Sequence, residues 1–261
     1  MKDFIEHITK EAGALTRAYF GKVQNIQHKK DPSDLVTEAD FASHNYLVSA
    51  ISQKFPNHKI ISEEQENEEL TDAPTWVIDP LDGTFHFATG TPMYVIMVCF
   101  IENKEVQFSC TYDPLQDEMF FAQKGKGAFL NGERIHCSSY DKINQGSGII
   151  GWRINPYYSS VLLSLYDIAK ENKFHCAIIS SAGYGAAQIA AGRRDWLLNL
   201  SCYLWDLAGI SLLLSEAGCT VTNLSGKAWT VEDENLLCAN ETLHSELATF
   251  LKPREPHLFS L

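Results

Sequence analysis

The sequence predicts an α/β fold of layered sheets and helices, and three observations carry that expectation. Strand-like segments cluster in the first half of the chain, whereas strands alternate with helical segments in the second, a distribution that points to stacked layers. The composition is that of an ordinary folded protein, with 45% hydrophobic, 11% aromatic and 21% charged residues. No repeat, low-complexity tract or linker interrupts the 261 residues.

The elements follow from periodicity and punctuation. Phe4, Ile8, Ala12, Leu15 and Tyr19 recur at helical spacing and predict an amphipathic helix over 4–20. A second helix is expected from Glu38 to Phe55, stopped by Pro56. Short strands are expected at Lys59–Ser62, Trp76–Asp79, Tyr94–Ile101, Val106–Tyr112 and Glu118–Gln123, and the turn residues of Gly125–Gly132 suit a hairpin. The second half reads as a helix near 157–172, a strand Ala177–Ser180, a helix over 184–191 and a strand Trp196–Leu200. A helix over 204–217 stopped by Gly218, further strands and a last helix over 242–251 complete the chain.

Charge and cysteine usage narrow the class. The 33 acidic residues against 21 basic ones give a formal charge of −12, which argues against a nucleic-acid backbone as the main partner. Such an excess is ordinarily a solvated surface, but it can also hide carboxylates that divalent cations neutralise. The seven cysteines are scattered without metal-ligand spacing, as expected of reduced, mostly buried thiols. Asp3, Glu6 and Glu11 interrupt any leader-like apolar region, and the longest apolar run, Tyr94–Ile101, is far too short to span a membrane. A cytoplasmic protein without membrane partners is expected.

The chemistry concentrates in Trp76-Val-Ile-Asp79-Pro-Leu-Asp82-Gly83-Thr84. A hydrophobic strand runs into Asp-Pro, where proline's missing amide is expected to end sheet pairing. Asp79 and Asp82 then converge at the strand exit while Gly83 and Thr84 open a turn or helix. Backbone amides at such a start suit a phosphate, and magnesium prefers carboxylate and carbonyl oxygens. Read alone, the same residues could form an Asx turn that caps a helix. Glu63 and Glu64 end another apolar strand; alternation would send one toward a metal and leave the other to support it, or both are solvated. Asp206 reads equally as a helix cap or a ligand, and Asp40 as a helical surface charge.

Together these segments closely resemble the inositol monophosphatase family. Its pattern of D-x-V-T-x-x-D, G-E-E, D-P-[IL]-D-G-T and W-D-x-A-(G/A) stands here as Asp34-Leu-Val-Thr-Glu-Ala-Asp40, Ser62-Glu-Glu, Asp79-Pro-Leu-Asp-Gly-Thr84 and Trp205-Asp-Leu-Ala-Gly209. The likeness runs from the first helix to about residue 250 and includes Lys124-Gly-Lys-Gly-Ala-Phe129 and Ser215-Glu-Ala-Gly218.

The resemblance implies a single αβαβα sandwich unit, with lobes near 1–150 and 151–261, that forms a homodimer and hydrolyses a small phosphate monoester. By the same resemblance, one Mg²⁺ is held by Glu63, Asp79 and the carbonyl of Leu81, and a second by Asp79, Asp82 and Asp206. A third, weaker one falls to Glu63 and water. Thr84 and Asp40 orient and help deprotonate a metal-activated water, Glu64 braces them, and the amides of Gly83 and Thr84 hold phosphate oxygens. Lithium sensitivity is implied as well. Lys29 lies where the family has a lysine near the phosphate entrance, with a plain surface lysine as the alternative, and His86 reads as a loop residue.

Three departures bear on the substrate: Ser62 replaces glycine, Phe85-His86 replaces a small polar pair, and Asn199 stands where animal members carry an inositol-binding glutamate. The small residue expected to face the sugar is Gly185. Inositol monophosphate or a related polyol or sugar phosphate is the expected substrate. Fructose bisphosphate, histidinol phosphate and adenosine bisphosphate phosphatases are alternatives, and a catalytically silent metal-binding scaffold is the remote one.

Overall fold

Period-two alternation along the strands decides which side of each sheet meets which helices, and it builds five layers. The computed structural model describes residues 1–23, 26–28, 35–66, 69–152, 161, 163, 165, 166, 169, 170 and 174–251. Helix α1 (Lys2–Tyr19) is followed by a small ribbon of β1 (Ile26–His28) and β2 (Leu35–Thr37), then by α2 (Glu38–Lys54). A seven-stranded sheet comprises β3 (Lys59–Ser62), β4 (Thr75–Asp82), β5 (Val95–Glu102), β6 (Glu105–Asp113), β7 (Glu118–Gln123), β8 (Gly127–Leu130) and β9 (Glu133–Ile135), in sequence order. All its pairs are antiparallel except β3–β4. Between β4 and β5 lies the short helix α3 (Thr84–Ala88).

The second sheet has the order β11-β10-β12-β14-β13, built from β10 (Ser147–Trp152), β11 (His175–Ile178), β12 (Trp196–Leu200), β13 (Thr220–Thr222) and β14 (Leu236–Ala239). Strand β10 runs parallel to both β11 and β12. Helices α4 (Ala182–Ala190) and α5 (Leu204–Glu216) precede and follow β12, and α6 (Glu241–Phe250) follows β14.

On β4 and β5, Trp76, Ile78, Ile96, Val98 and Phe100 face Ile5, Ile8, Ala12, Leu47 and Ile51 of α1 and α2. The intervening residues Val77, Val95, Met97 and Cys99 face α4 and α5, whose other side packs on Ile149, Leu197, Leu236 and Cys238 of the second sheet. The far side of that sheet presents Trp196, Leu198, Leu200 and Leu237 to Leu243 and Leu247 of α6. Because α4 and α5 are covered on both sides, they are apolar all round, as buried helices must be. The expected αβαβα sandwich is present.

The differences from the sequence reading have physical reasons. Pairing does not stop at Asp79-Pro80: β4 continues to Asp82, with the register to β5 shifting between Asp79 and Asp82, so the proline is accommodated at a bulge. Glu63 and Glu64 lie beyond the end of β3 in a turn, so strand alternation does not decide where they point. The strand placed at Ala177–Ser180 is shifted to His175–Ile178. Strands β1, β2 and β10 carry too little pattern to be anticipated. In β10, Gly148 and Gly151 dilute the signal, yet a Cβ at Gly148 would lie 1.9 Å from the ring of Trp196, so glycine is what lets the two strands pair there. Most of the helix expected near 157–172 lies outside the described residues. Among those described, Val161 and Leu165 are helical and pack in the core beside α6.

Candidate active site

The site is assembled at the end of β4. Its bulge turns the Asp79-Pro-Leu-Asp82 segment so that both acids leave the strand on the same side, and α5 brings Asp206 to them from more than a hundred residues away. The three are buried, at 1%, 7% and 9% exposure, and each offers an oxygen within 4.8 Å of the others. That placement answers the question the sequence left open for Asp206. It does both jobs: one carboxylate oxygen accepts the Tyr203 amide at 2.7 Å as part of the capping box of α5, and the side chain faces the cluster.

Asp82 is held by a segment no motif singled out. Ser181 Oγ donates to it at 2.7 Å, the amide of Gly183 at 2.6 Å and the amide of Ala182 at 3.1 Å. These donors form the start of α4, so the N-terminal end of one helix grips an acid carried by the other half of the chain. A serine followed by small residues at a helix start was the available signal, but it specifies a cap and says nothing of the distant partner. His86, expected to be a loop residue, lies in α3 instead, and its Nε2 accepts the Ser180 amide at 3.2 Å. It joins the same two segments.

Asp40 is not the surface charge its position in α2 suggested. It is 1% exposed, accepts the Thr37 amide at 2.8 Å and the Thr37 hydroxyl at 2.5 Å in a capping box, and accepts Thr84 Oγ1 at 2.9 Å. The Thr84 hydroxyl also lies 3.1 Å from the carbonyl of Leu81, which ties both residues to the cluster. Glu63 is hydrogen-bonded to Asp79. Glu64 follows Glu63 in the turn, half-buried.

The electrostatics are those of a site built for cations. Burial pushes Asp79 well above the ordinary carboxylate range, and the nearest charges, Glu63, Asp82 and Asp206, are all negative and push the same way. Asp82 is pushed up to about 6 by burial, against the pull of its donors at Ser181, Gly183 and Ala182. Asp40 is also pushed up to about 6 by burial, opposed by its hydrogen bonds from Thr37 and Thr84. A hard cation fits this donor set, because the ligands are oxygens and the buried acids repel one another until positive charge joins them.

Gly185 sits on α4 where a Cβ would meet Ile149 and Leu197 at 3.3 Å, so its smallness serves the close approach of helix to sheet. Asn199 is fully buried on β12, and neither amide atom has a hydrogen-bond partner among the described residues. Its Oδ1 points toward Gly151 of the neighbouring strand, where a Cβ would lie 2.2 Å away. Asp34 and Lys29 lie outside the described residues.

Residues 1–254 match the profile of the inositol monophosphatase family. Among curated relatives, the chain is 33% identical over 251 residues to inositol monophosphatase of Dictyostelium discoideum, covering 94% of this chain and 92% of the relative. It is 31% identical over 248 residues to fructose-1,6-bisphosphatase/inositol-1-monophosphatase of Thermotoga maritima, covering 94% and 93%. Among solved structures, the extragenic suppressor protein SuhB from Bartonella henselae superposes with a TM-score of 0.90 at 27% identity, covering 96% of this chain and 98% of that one.

Proposed function

The chain belongs to the inositol monophosphatase family and is a phosphoric monoester hydrolase, and from that premise we propose that it hydrolyses inositol monophosphate or a related polyol or sugar phosphate with Mg²⁺. The observation that carries this reading is the buried group of Asp79, Asp82 and Asp206, whose oxygens lie within 4.8 Å of one another. Asp79, Asp82 and Asp206 would hold one Mg²⁺, and Glu63, Asp79 and the Leu81 carbonyl another, with a third, weaker ion at Glu63. When bound, such ions polarise the phosphate and raise the acidity of water.

The chain's own residues then divide the work. Thr84 Oγ1, hydrogen-bonded to Asp40, orients the attacking water and passes its proton toward the Asp40 carboxylate, whose raised affinity for protons suits that role. The amides of Gly83 and Thr84, at the head of α3, hold the phosphate oxygens, and Glu64 braces the Thr84–Asp40 network. Asn199, fully buried and turned toward Gly151, and Gly185, packed against Ile149 and Leu197, do not face a substrate, contrary to the expectation from the sequence. The broad substrate range rests on the departure at position 199, where no carboxylate stands to take two sugar hydroxyls and the buried Asn199 amide does not replace it. The name of the Thermotoga relative pairs two activities and makes a sugar bisphosphate the second substrate to try. Li⁺, similar to Mg²⁺ in size with half the charge, would compete at the Asp79, Asp82 and Asp206 group. The active unit is taken as a cytoplasmic homodimer, on the family resemblance.

Phosphate release from inositol monophosphate, fructose bisphosphate, glycerol phosphate and an aryl phosphate, with Mg²⁺ and with chelator, tests the proposal. Metal-dependent turnover of the inositol and simpler phosphates within about a hundredfold of each other is expected. A thousandfold preference for any one of them would overturn the broad range, and turnover in chelator would overturn the metal.

A further inference from the structure

Helix α2 carries more of the site than Asp40. Asp40, Ser43 and His44 stand three and four residues apart and therefore share one helical face. Each bonds a different segment. Asp40 accepts Thr84 Oγ1 at 2.9 Å, Ser43 Oγ donates to the Pro80 carbonyl at 2.7 Å, and His44 Nδ1 lies 2.9 Å from Ser62 Oγ. Ser62 closes β3, is fully buried, and its Oγ accepts the Glu64 amide at 3.4 Å. Ser62 Oγ thus joins His44 Nδ1 on one side to the Glu64 amide on the other. Burial lowers the affinity of His44 for a proton.

The chain from α2 through Ser62 thus ends on the backbone of the turn that presents Glu63 to Asp79. The Glu63 amide makes the last rung to β4, donating to the Ile78 carbonyl at 3.3 Å, and Ser62 holds the next amide along. Glycine, the residue of the resembled pattern, could not supply this link. We propose that the His44–Ser62 pair is a positioning element that fixes the Glu63–Glu64 turn and thereby sets the affinity of the site for its divalent cation. This rests on the reading that Glu63 holds a cation.

The test is calorimetric titration of Mg²⁺ into chelator-stripped protein without substrate, alongside the melting temperature of the same metal-free samples. Ser62→Ala and His44→Ala should each weaken Mg²⁺ binding about 3- to 10-fold, the range for loss of one neutral hydrogen bond. The double variant should be no weaker than the worse single one, because both break the same link. His44→Asn, which keeps a polar atom near the position of Nδ1, should restore most of the affinity. Should Ser62→Ala not fold, the contrast between His44→Ala and His44→Asn decides alone. A Mg²⁺ affinity within twofold of the parent in the alanine variants, even with a lowered melting temperature, would overturn the proposal by reducing the pair to a structural role. Parent-like Mg²⁺ binding in Glu63→Gln would instead overturn the reading of Glu63 on which it rests.

Discussion

Thr84 and Asp82 show how much of the chemistry hangs on single side chains. Thr84 Oγ1 bonds Asp40 and the Leu81 carbonyl. Thr84→Ala should therefore lower kcat by roughly 10²–10⁴-fold with little change in KM, as steady-state kinetics will read. Asp82→Asn removes the charge and, with one acceptor oxygen in place of two, also gives up the donors at one of the two oxygens that Ser181 and the 182–183 amides grip. Turnover should nearly vanish in that variant. In the parent, chelator should abolish activity and Mg²⁺ restore it.

The raised proton affinities of Asp40 and Asp82 also predict a pH dependence of stability. Both are about 6 in the folded state, above their unfolded value, so folding takes up protons between roughly pH 4 and 6. Their contribution is fully present at the acid end of that window and is lost as pH rises through 6. The metal-free protein should melt at a higher temperature at pH 5 than at pH 7, with Asp79 acting in the same direction. Saturating Mg²⁺ should shrink the difference, because it stabilises the ionised acids that pH 7 leaves in mutual repulsion.

At the scale of elements, the join between β4 and α3 is the most demanding piece of backbone. Gly83 has φ +99°, and a Cβ there would lie 2.7 Å from the carbonyl oxygen of Met93. Gly83→Ala combines a disfavoured conformation, about 1–3 kcal/mol, with that backbone clash. It should lower the melting temperature and, by displacing Thr84, lower kcat as well. The glycine was legible in the sequence as a turn residue beside a phosphate site. Long elements with strong patterns, such as α1 and α2, were also legible to within two residues, because burial on one face writes its period into the chain. Strand β10 was not legible, because its glycines answer to a tryptophan on the neighbouring strand.

At the scale of the molecule, the acids of the cluster come from both halves. Asp79 and Asp82 leave the seven-stranded sheet, and Asp206 starts the helix that lies between the sheets. A cation held by all three ties the halves together in the native state alone. Mg²⁺ at a hundred times its dissociation constant should then raise the melting temperature by about 5–10 °C, from the linkage energy and the usual scaling for a chain of this size. Asp206→Ala should lose most of that rise while remaining folded, and differential scanning calorimetry will show it.

What the sequence determined by itself is local: which acids sit beside which turn residues, which faces of strands and helices are apolar, and hence the layered fold and the family resemblance. These are properties of neighbours along the chain, and periodicity records them. The tertiary structure alone decided that Asp40 is buried, that Ser181 and the amides of residues 182 and 183 hold Asp82 from about a hundred residues away, and that Asn199 points at Gly151. Proton affinity follows from burial and from charges across space, and neither is written in the identity of an aspartate. Only the packing of α4 and α5 between two sheets brings Asp79, Asp82 and Asp206 together, and that convergence turns scattered carboxylates into a cation site.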